Sequence, residues 1–272
     1  HSFPTRRSSD LPFIEQTQYS PDAAEHALSS NPFSGQLFDG EILHATGLGT
    51  NVPLSKLNGG RPFVLLDACE ETPTVDAVNF PNEEAERAAM QHLIDRGCRN
   101  IAIVGHRFAP RADLAHAQNA FALRLRGACG ALSDAGLPYD ESMVFEAGDV
   151  ANGIIAGHAI AERILAARSG HGGTEFDGAC CANDFAAFGV IRGLADRGLR
   201  VPQDVKVIGF DGVTSGSYTT PALSTIQVDF TQLAKFSVDM LSERIDHGTD
   251  EALPPRRAII GYQLVDREST AV

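Results

Sequence analysis

The chain reads as an α/β protein built from doubly wound parallel sheets, and three observations predict this. Short apolar runs alternate with helix-length amphipathic stretches, the rhythm of βα units. The runs do not alternate apolar with polar, so each strand is expected to be covered on both faces, as in a parallel sheet. A weak internal repeat is also present: FDGEILHAT at 38–46 is echoed by FDGACCAND at 176–184, and LIDRGCRNIAIVG at 93–105 by LADRGLRVPQDVKVIGF at 194–210. Two similar α/β lobes joined by crossover strands, with a ligand cleft between them, are therefore expected.

The elements follow in order. Residues 1–11, HSFPTRRSSDL, are polar, basic and serine-rich without a period, and read as a disordered or foreign leader. A short strand is expected at 41–44. PFVLL at 62–66 is a further strand ending in Asp67, and 75–80 another. A helix is expected from Asn82 to Arg96, stopped by Gly97, then a strand at 101–104. A helix around 115–135 closes on Gly136 and Pro138, followed by a strand at 143–146 and a helix at 153–167. In 176–212 a buried strand, GACCA, leads into Asn183 and Asp184, either of which can cap the next helix. Phe185, Phe188, Ile191, Leu194 and Ala195 recur there at helical spacing. Gly198 and Pro202 end that helix, and 205–210 is the next strand. Ser224–Val228 crosses over, 230–245 is a long helix, and 258–265 reads as a final strand pair.

Composition narrows the function. Hydrophobic residues at 43% and charged residues at 21% describe an ordinary globular chain long enough for two lobes. No apolar run approaches the roughly 20 residues of a membrane helix, and no signal peptide is visible, so a cytoplasmic location is expected. The net charge of −13 argues against this chain gripping DNA by itself. Five scattered cysteines without C-x-x-C read as reduced core thiols, and no metal site is expected. Gly47-Leu48-Gly49-Thr50 lacks the third glycine of a phosphate loop, and no Walker lysine, serine elbow or His-x-x-x-His appears. The chain is therefore not expected to be an enzyme or to hold a cofactor.

Strand ends at the carboxyl edge of an open α/β sheet are where ligands bind. Asp67, Asn183 and Asp211 all follow such strands. Asp67 can accept two sugar hydroxyls or cap a turn. Asn183 can bind or cap a helix, with Asp184 free to take the cap instead. Asp211 can bind or form an Asx-turn with Gly212. Phe80 and Phe185 can wall a site on which a ring stacks, or pack in the core. Arg124 stands on a helix with Arg126, which reads as the solvated partner.

The stretch CANDFAAFGVIRGLADRGLRVPQDVKVIGFDG resembles the effector-binding domain of the LacI/GalR family of transcription regulators. Its Ala-Asn-Asp, its Gly-Leu-Arg-Val-Pro-x-Asp-Val and its Gly-Phe-Asp stand in the family's order. Pro12–Ile14 resembles the family's second strand, Asp22–Ser30 the helix after it, and LPPRRAIIGYQLVDREST at 253–270 its last strands. The resemblance implies a periplasmic-binding-protein-like type I fold, with 12–80 plus 228–254 as one lobe and 81–227 plus 255–272 as the other. It implies an effector-contacting aspartate at Asp67 and a cleft-facing arginine at Arg124. Val150 stands where some members carry an aromatic residue, and Val228, beside Gln227, where sugar-binding members often carry glutamine. The family's helix-turn-helix, hinge helix and first strand find no match, so the first lobe is expected to be incomplete. The implied whole is a homodimer that binds operator DNA through that absent reader and senses a small effector, a sugar or a nucleoside. The rivals are a solute-binding protein of a transporter, a Rossmann-like enzyme and a fragment with no function of its own.

Overall fold

The computed structural model describes residues 39–44, 61–69, 72–146, 153–169, 176–247 and 253–271. The leader, the elements expected at 12–14 and 22–30, the Gly47–Thr50 loop and Val150 lie outside the described residues. The chain divides into two compact units.

The first unit takes the chain up to Phe80, a short stretch at 118–120, and Asp229–Gly261. Its sheet has four parallel strands in the order β1 (Glu41–His44), β2 (Phe63–Leu66), β3 (Ala77–Asn79) and β9 (Arg257–Ile259). The helix that follows Asp229, here α6 (Phe230–His247), packs on this sheet. Gly40 lets it approach, since a Cβ there would stand 2.7 Å from Leu241 Cδ1. Asp76, whose side chain is fully buried just ahead of β3, binds the unit together. Arg244 of α6 donates to both its oxygens at 2.8 and 3.0 Å, and Arg256 adds its backbone N–H at 2.8 Å and its guanidinium at 3.1 Å.

The second unit takes Pro81–Ala117, Phe121–Val228 and Tyr262–Val272. Its six strands run in the order β10 (Tyr262–Val265), β8 (Ser224–Val228), β7 (Lys206–Asp211), β6 (Gly178–Cys181), β4 (Ile101–Val104) and β5 (Val144–Phe145). All pair parallel except β10, which runs antiparallel to β8. Helices α1 (Asn82–Asp95), α3 (Ala120–Asp134), α4 (Gly153–Ser169) and α5 (Asp184–Asp196) complete the unit. Ala102, Val104, Ala179 and Cys181 face α4 and α5, in a core with Ile160 and Val190. On the opposite face the Cys180 thiol meets Glu86 of α1. Burial on both sides is why these strands carry no polar residues.

Helices α4 and α5 touch backbone to backbone. A Cβ at Gly157 would enter the Ala186 carbonyl, and one at Gly189 the Ile154 carbonyl. The closing 3-10 turn, Glu268–Thr270, is likewise built in. Ser269 Oγ donates to Val207 O at 2.6 Å and accepts from Ser224 N at 2.8 Å, while the Thr270 and Ser224 hydroxyls lie 2.7 Å apart.

Three expectations are corrected. The helix expected around 115–135 starts later, as α3 at Ala120, and a separate single turn, α2 (Arg111–Leu114), precedes it. Arg126 Nη1 donates to the carbonyls of Leu114 and Ala115 at the end of α2. Arg126 is therefore no solvated bystander, and it also pairs with Glu83. Finally, β9 and β10 do not pair with each other. Ile260 N donates to Asn79 O at 3.0 Å and Gly261 N to Gln232 Oε1 at 2.7 Å, so the first unit holds this chain until it leaves for the other sheet.

Burial also settles the state of four thiols. It pushes Cys98 and Cys129 up to about 11, and Cys180 and Cys181 well above the ordinary thiol range. The thiolate is the reactive form. Native chain treated with iodoacetamide at pH 7.5 is thus expected to stay unmodified at these four positions, and to react at all of them in denaturant. Fast native labelling at Cys180 or Cys181, read by peptide mass, would contradict this burial.

Candidate functional site

Two of the sequence-derived residues lie in the first unit. Asp67 follows β2 with φ +59 and is almost fully buried. Its backbone N–H donates to Val78 O at 2.9 Å, and its Oδ1 accepts from Phe80 N at 3.4 Å and the Cys69 thiol at 3.7 Å. The carboxylate therefore ties the ends of β2 and β3 together. Phe80 sits at the end of β3 with its ring edge-on to Phe230, 5.9 Å between centroids. The pair makes an aromatic corner at this sheet's carboxyl edge.

The other four lie in the second unit. Asn183 follows β6 and caps α5, its Oδ1 accepting from Ala186 N at 2.8 Å. The expectation that Asp184 could free Asn183 from capping is corrected, because Asp184 turns inward instead. It is fully buried, and accepts from the Thr225 hydroxyl at 2.6 Å and from Val213 N at 2.7 Å. Capping uses the Asn183 oxygen and leaves its amide nitrogen for other work. Phe185, on the first turn of α5, is 48% exposed and edge-on to Phe188. Asp211 ends β7 at φ +113, beside a glycine at φ +78. Gly212 is required twice over: its φ suits glycine, and a Cβ there would stand 2.6 Å from Gln227.

Arg124 joins these strand ends. Its Nη1 donates to Ala182 O at 2.6 Å, immediately before Asn183, and its Nε to Asn82 Oδ1 at 2.8 Å. Its guanidinium lies over the Phe210 ring at 3.7 Å, immediately before Asp211. A planar cation in such a cradle is fixed in direction, which suits oriented hydrogen bonding to a polar ligand. Arg124, Asn183, Phe185 and Asp211 thus gather at the carboxyl edge of one sheet, and Asp67 and Phe80 at that of the other.

Sequence reading missed Asn82 and Asp184. Asn82 is 42 positions from the arginine it anchors, a distance no local pattern reports. Asp184 was visible inside the Ala-Asn-Asp motif, but its direction was not. Among the described residues no cluster of histidine, cysteine or carboxylate groups could hold a metal, and no helix is long and apolar enough to cross a membrane.

Comparison with known proteins agrees with this architecture. Residues 90–270 match the family of periplasmic binding protein-like domains. The HTH-type transcriptional repressor PurR of Aliivibrio fischeri (strain MJ11) is 29% identical over 208 residues, spanning 76% of this chain and 58% of that repressor. The chain therefore covers less than two thirds of that relative's length. A putative LacI-family regulator from Sanguibacter keddieii superposes with a TM-score of 0.79 at 33% identity, over 96% of this chain and 87% of that one. A complex of the transcriptional regulator CelR with cellobiose superposes with a TM-score of 0.71 at 27% identity, over 92% of this chain and 69% of that one.

Proposed function

The chain belongs to the periplasmic-binding-protein-like effector domains of LacI/GalR-type regulators, and from that premise we propose that it senses a small polyhydroxylated ligand, a sugar, for a transcription regulator. The observation that carries this reading is the setting of Arg124, fixed against the strand end that leads into Asn183 and the one that leads into Asp211. A donor fork, an amide nitrogen and a carboxylate together offer the mixed donors and acceptors that vicinal hydroxyls need. Phe185, half exposed on the first turn of α5, supplies apolar surface for a sugar face. The cellobiose carried by the CelR relative is the reason for placing sugars ahead of other ligands.

In the whole protein, ligand uptake would alter a homodimer's grip on operator DNA through a helix-turn-helix. The net charge of −13 on this chain assigns that grip to a separate basic reader.

The test is a thermal melt against a panel including cellobiose and ribose. A ligand at a hundred times its Kd stabilises the native state by about 2.7 kcal/mol, a readily measured shift. Asp211→Asn keeps the shape and tolerance of positive φ but removes the charge. It is expected to weaken binding roughly tenfold to a hundredfold, the scale of a hydrogen bond to a charged group. Asn183→Ser keeps the helix cap and removes the amide, and is expected to weaken binding without lowering the ligand-free melt. Asn183→Ala would lower that melt too, since losing the cap costs about 1 kcal/mol. Undiminished sugar shifts in both Asp211→Asn and Asn183→Ser would sink the reading.

A further inference from the structure

The Asp211 turn is held from behind by one side chain. We propose that Asp184 is the positioning residue of this site: it holds the Asp211–Gly212–Val213 turn against β8 through both carboxylate oxygens, and its protonation loosens that turn. The proposal rests on the reading that Asp211 meets the ligand.

The geometry is specific. One oxygen of Asp184 takes the Thr225 hydroxyl of β8 at 2.6 Å, and the other takes the N–H of Val213, two residues beyond Asp211, at 2.7 Å. The register sets Gly209 beside Thr225 and Asp211 beside Gln227, so the carboxylate spans the rungs just behind the ligand edge. Two glycines make room for this arrangement. A Cβ on Gly209 would occupy the space of Asp184 Oδ1, and a Cβ on Gly212 would meet Gln227. Asp184 has no exposed surface, and among the described residues no salt bridge reaches it.

Its charge state can change. Burial raises Asp184 to about 6, opposed by the bonds from Thr225, Val213 and Gly212 and by the positive charge of Arg267. The titratable group facing it from β6 is the Cys181 thiol, which burial holds protonated throughout this range. Protonation turns two charge-assisted bonds into neutral ones, which are roughly half as strong. The folded carboxyl binds its proton more tightly than an unfolded aspartate at 3.8. Its stabilising contribution is therefore complete below pH 3.8 and is lost as the pH rises through about 6. At neutral pH the ionised carboxylate weighs against the fold while it fixes the turn beside Asp211. That combination places it in the service of the ligand edge.

The decisive variant is Asp184→Asn in the full chain, which keeps the shape and cannot titrate. In the ligand-free wild type, the Val213 amide resonance is expected to move with pH with a midpoint near 6, and in Asp184→Asn to stay still between pH 5 and 8. The melting temperature of Asp184→Asn relative to wild type should be more favourable at pH 7.5 than at pH 5. With cellobiose as the probe, wild-type affinity is expected to fall roughly tenfold from pH 7.5 to pH 5, the scale of one charge-assisted bond, while that of Asp184→Asn stays flat. A Val213 amide that does not titrate, or that titrates equally in Asp184→Asn, overturns the assignment. A titrating Val213 amide with pH-independent cellobiose affinity overturns the positioning role. If no sugar in the panel shifts the melt at any pH, the ligand reading falls, and the Val213 titration still decides what Asp184 does.

Discussion

Replacing Gly189 by alanine is expected to lower the unfolding free energy by about 3 kcal/mol, the upper end of what overpacking costs. The added methyl would enter the Ile154 carbonyl and stand 2.7 Å from His158 N, both backbone atoms of α4 that cannot swing aside as a side chain would. Gly157 answers it from the other helix, where a Cβ would meet the Ala186 carbonyl. The two helices would have to separate, opening the core that holds Ile160 and Val190. Denaturant unfolding followed by far-ultraviolet circular dichroism measures the loss. Gly136→Ala is the control: nothing lies within 4 Å of its Cβ, and only its φ of +66 opposes alanine. That change is expected to cost about 1 kcal/mol. Equal losses at the two glycines would mean that α4 and α5 are not in backbone contact.

Asp76→Ala is expected to cost a similar amount, about 3 kcal/mol, through electrostatics instead of sterics. Removing one partner of a buried pair strands the other charges, a loss of about 3–5 kcal/mol when both sides are dry. Arg256 is 39% exposed, so solvent screens part of its share and the lower figure applies. The pH dependence has a definite sign. Burial pushes the Asp76 carboxyl up, but the hydrogen bonds from Arg244 and Arg256 outweigh it and hold the group below its ordinary 3.8. Its contribution is therefore complete above pH 3.8 and disappears as the pH falls through the lower folded-state value. The stability gap between wild type and Asp76→Ala should be constant from pH 5 to 7 and narrow in stronger acid. A gap that widened in acid would reverse the assignment.

Much of the second unit was legible because its signals are local. GACC and the VIGF of β7 are buried on both faces, and a stretch covered twice must be apolar throughout. The cap, the helical spacing and the glycine stop of α5 all lie within one short stretch. What escaped depended on partners far along the chain. Arg126 reaches back to the carbonyls of Leu114 and Ala115 at the end of α2, and nothing in Ala115–Asn119 announces that. RAIIGYQLV, residues 257–265, carries one strand of each sheet, and the run gives no hint that it divides between two structures. The site residues were legible as strand-end positions. Their orientations were not: Asn183 and Asp184 are adjacent polar residues, and the Thr225 hydroxyl and Val213 N–H, 41 and 29 positions away, draw the second one inward.

The first unit's sheet has a consequence for how the chain is made. Strand β3 finds its neighbour β9 only near the far end of the sequence, and Asp76 waits 180 positions for Arg256. A ribosome adding about 5–20 residues per second takes on the order of 10–40 s to cover that distance. Throughout that interval the β9 side of Ala77–Asn79 lacks its partner strand, the kind of open edge on which nascent chains pair wrongly. The second unit waits as well, because Ser269 and Thr270 must emerge before Ser224 has its partners. Neither sheet can therefore close until its last strand and the closing turn have been made, and the yield in a cell is expected to track holdase capacity more closely than the stability of the finished domain.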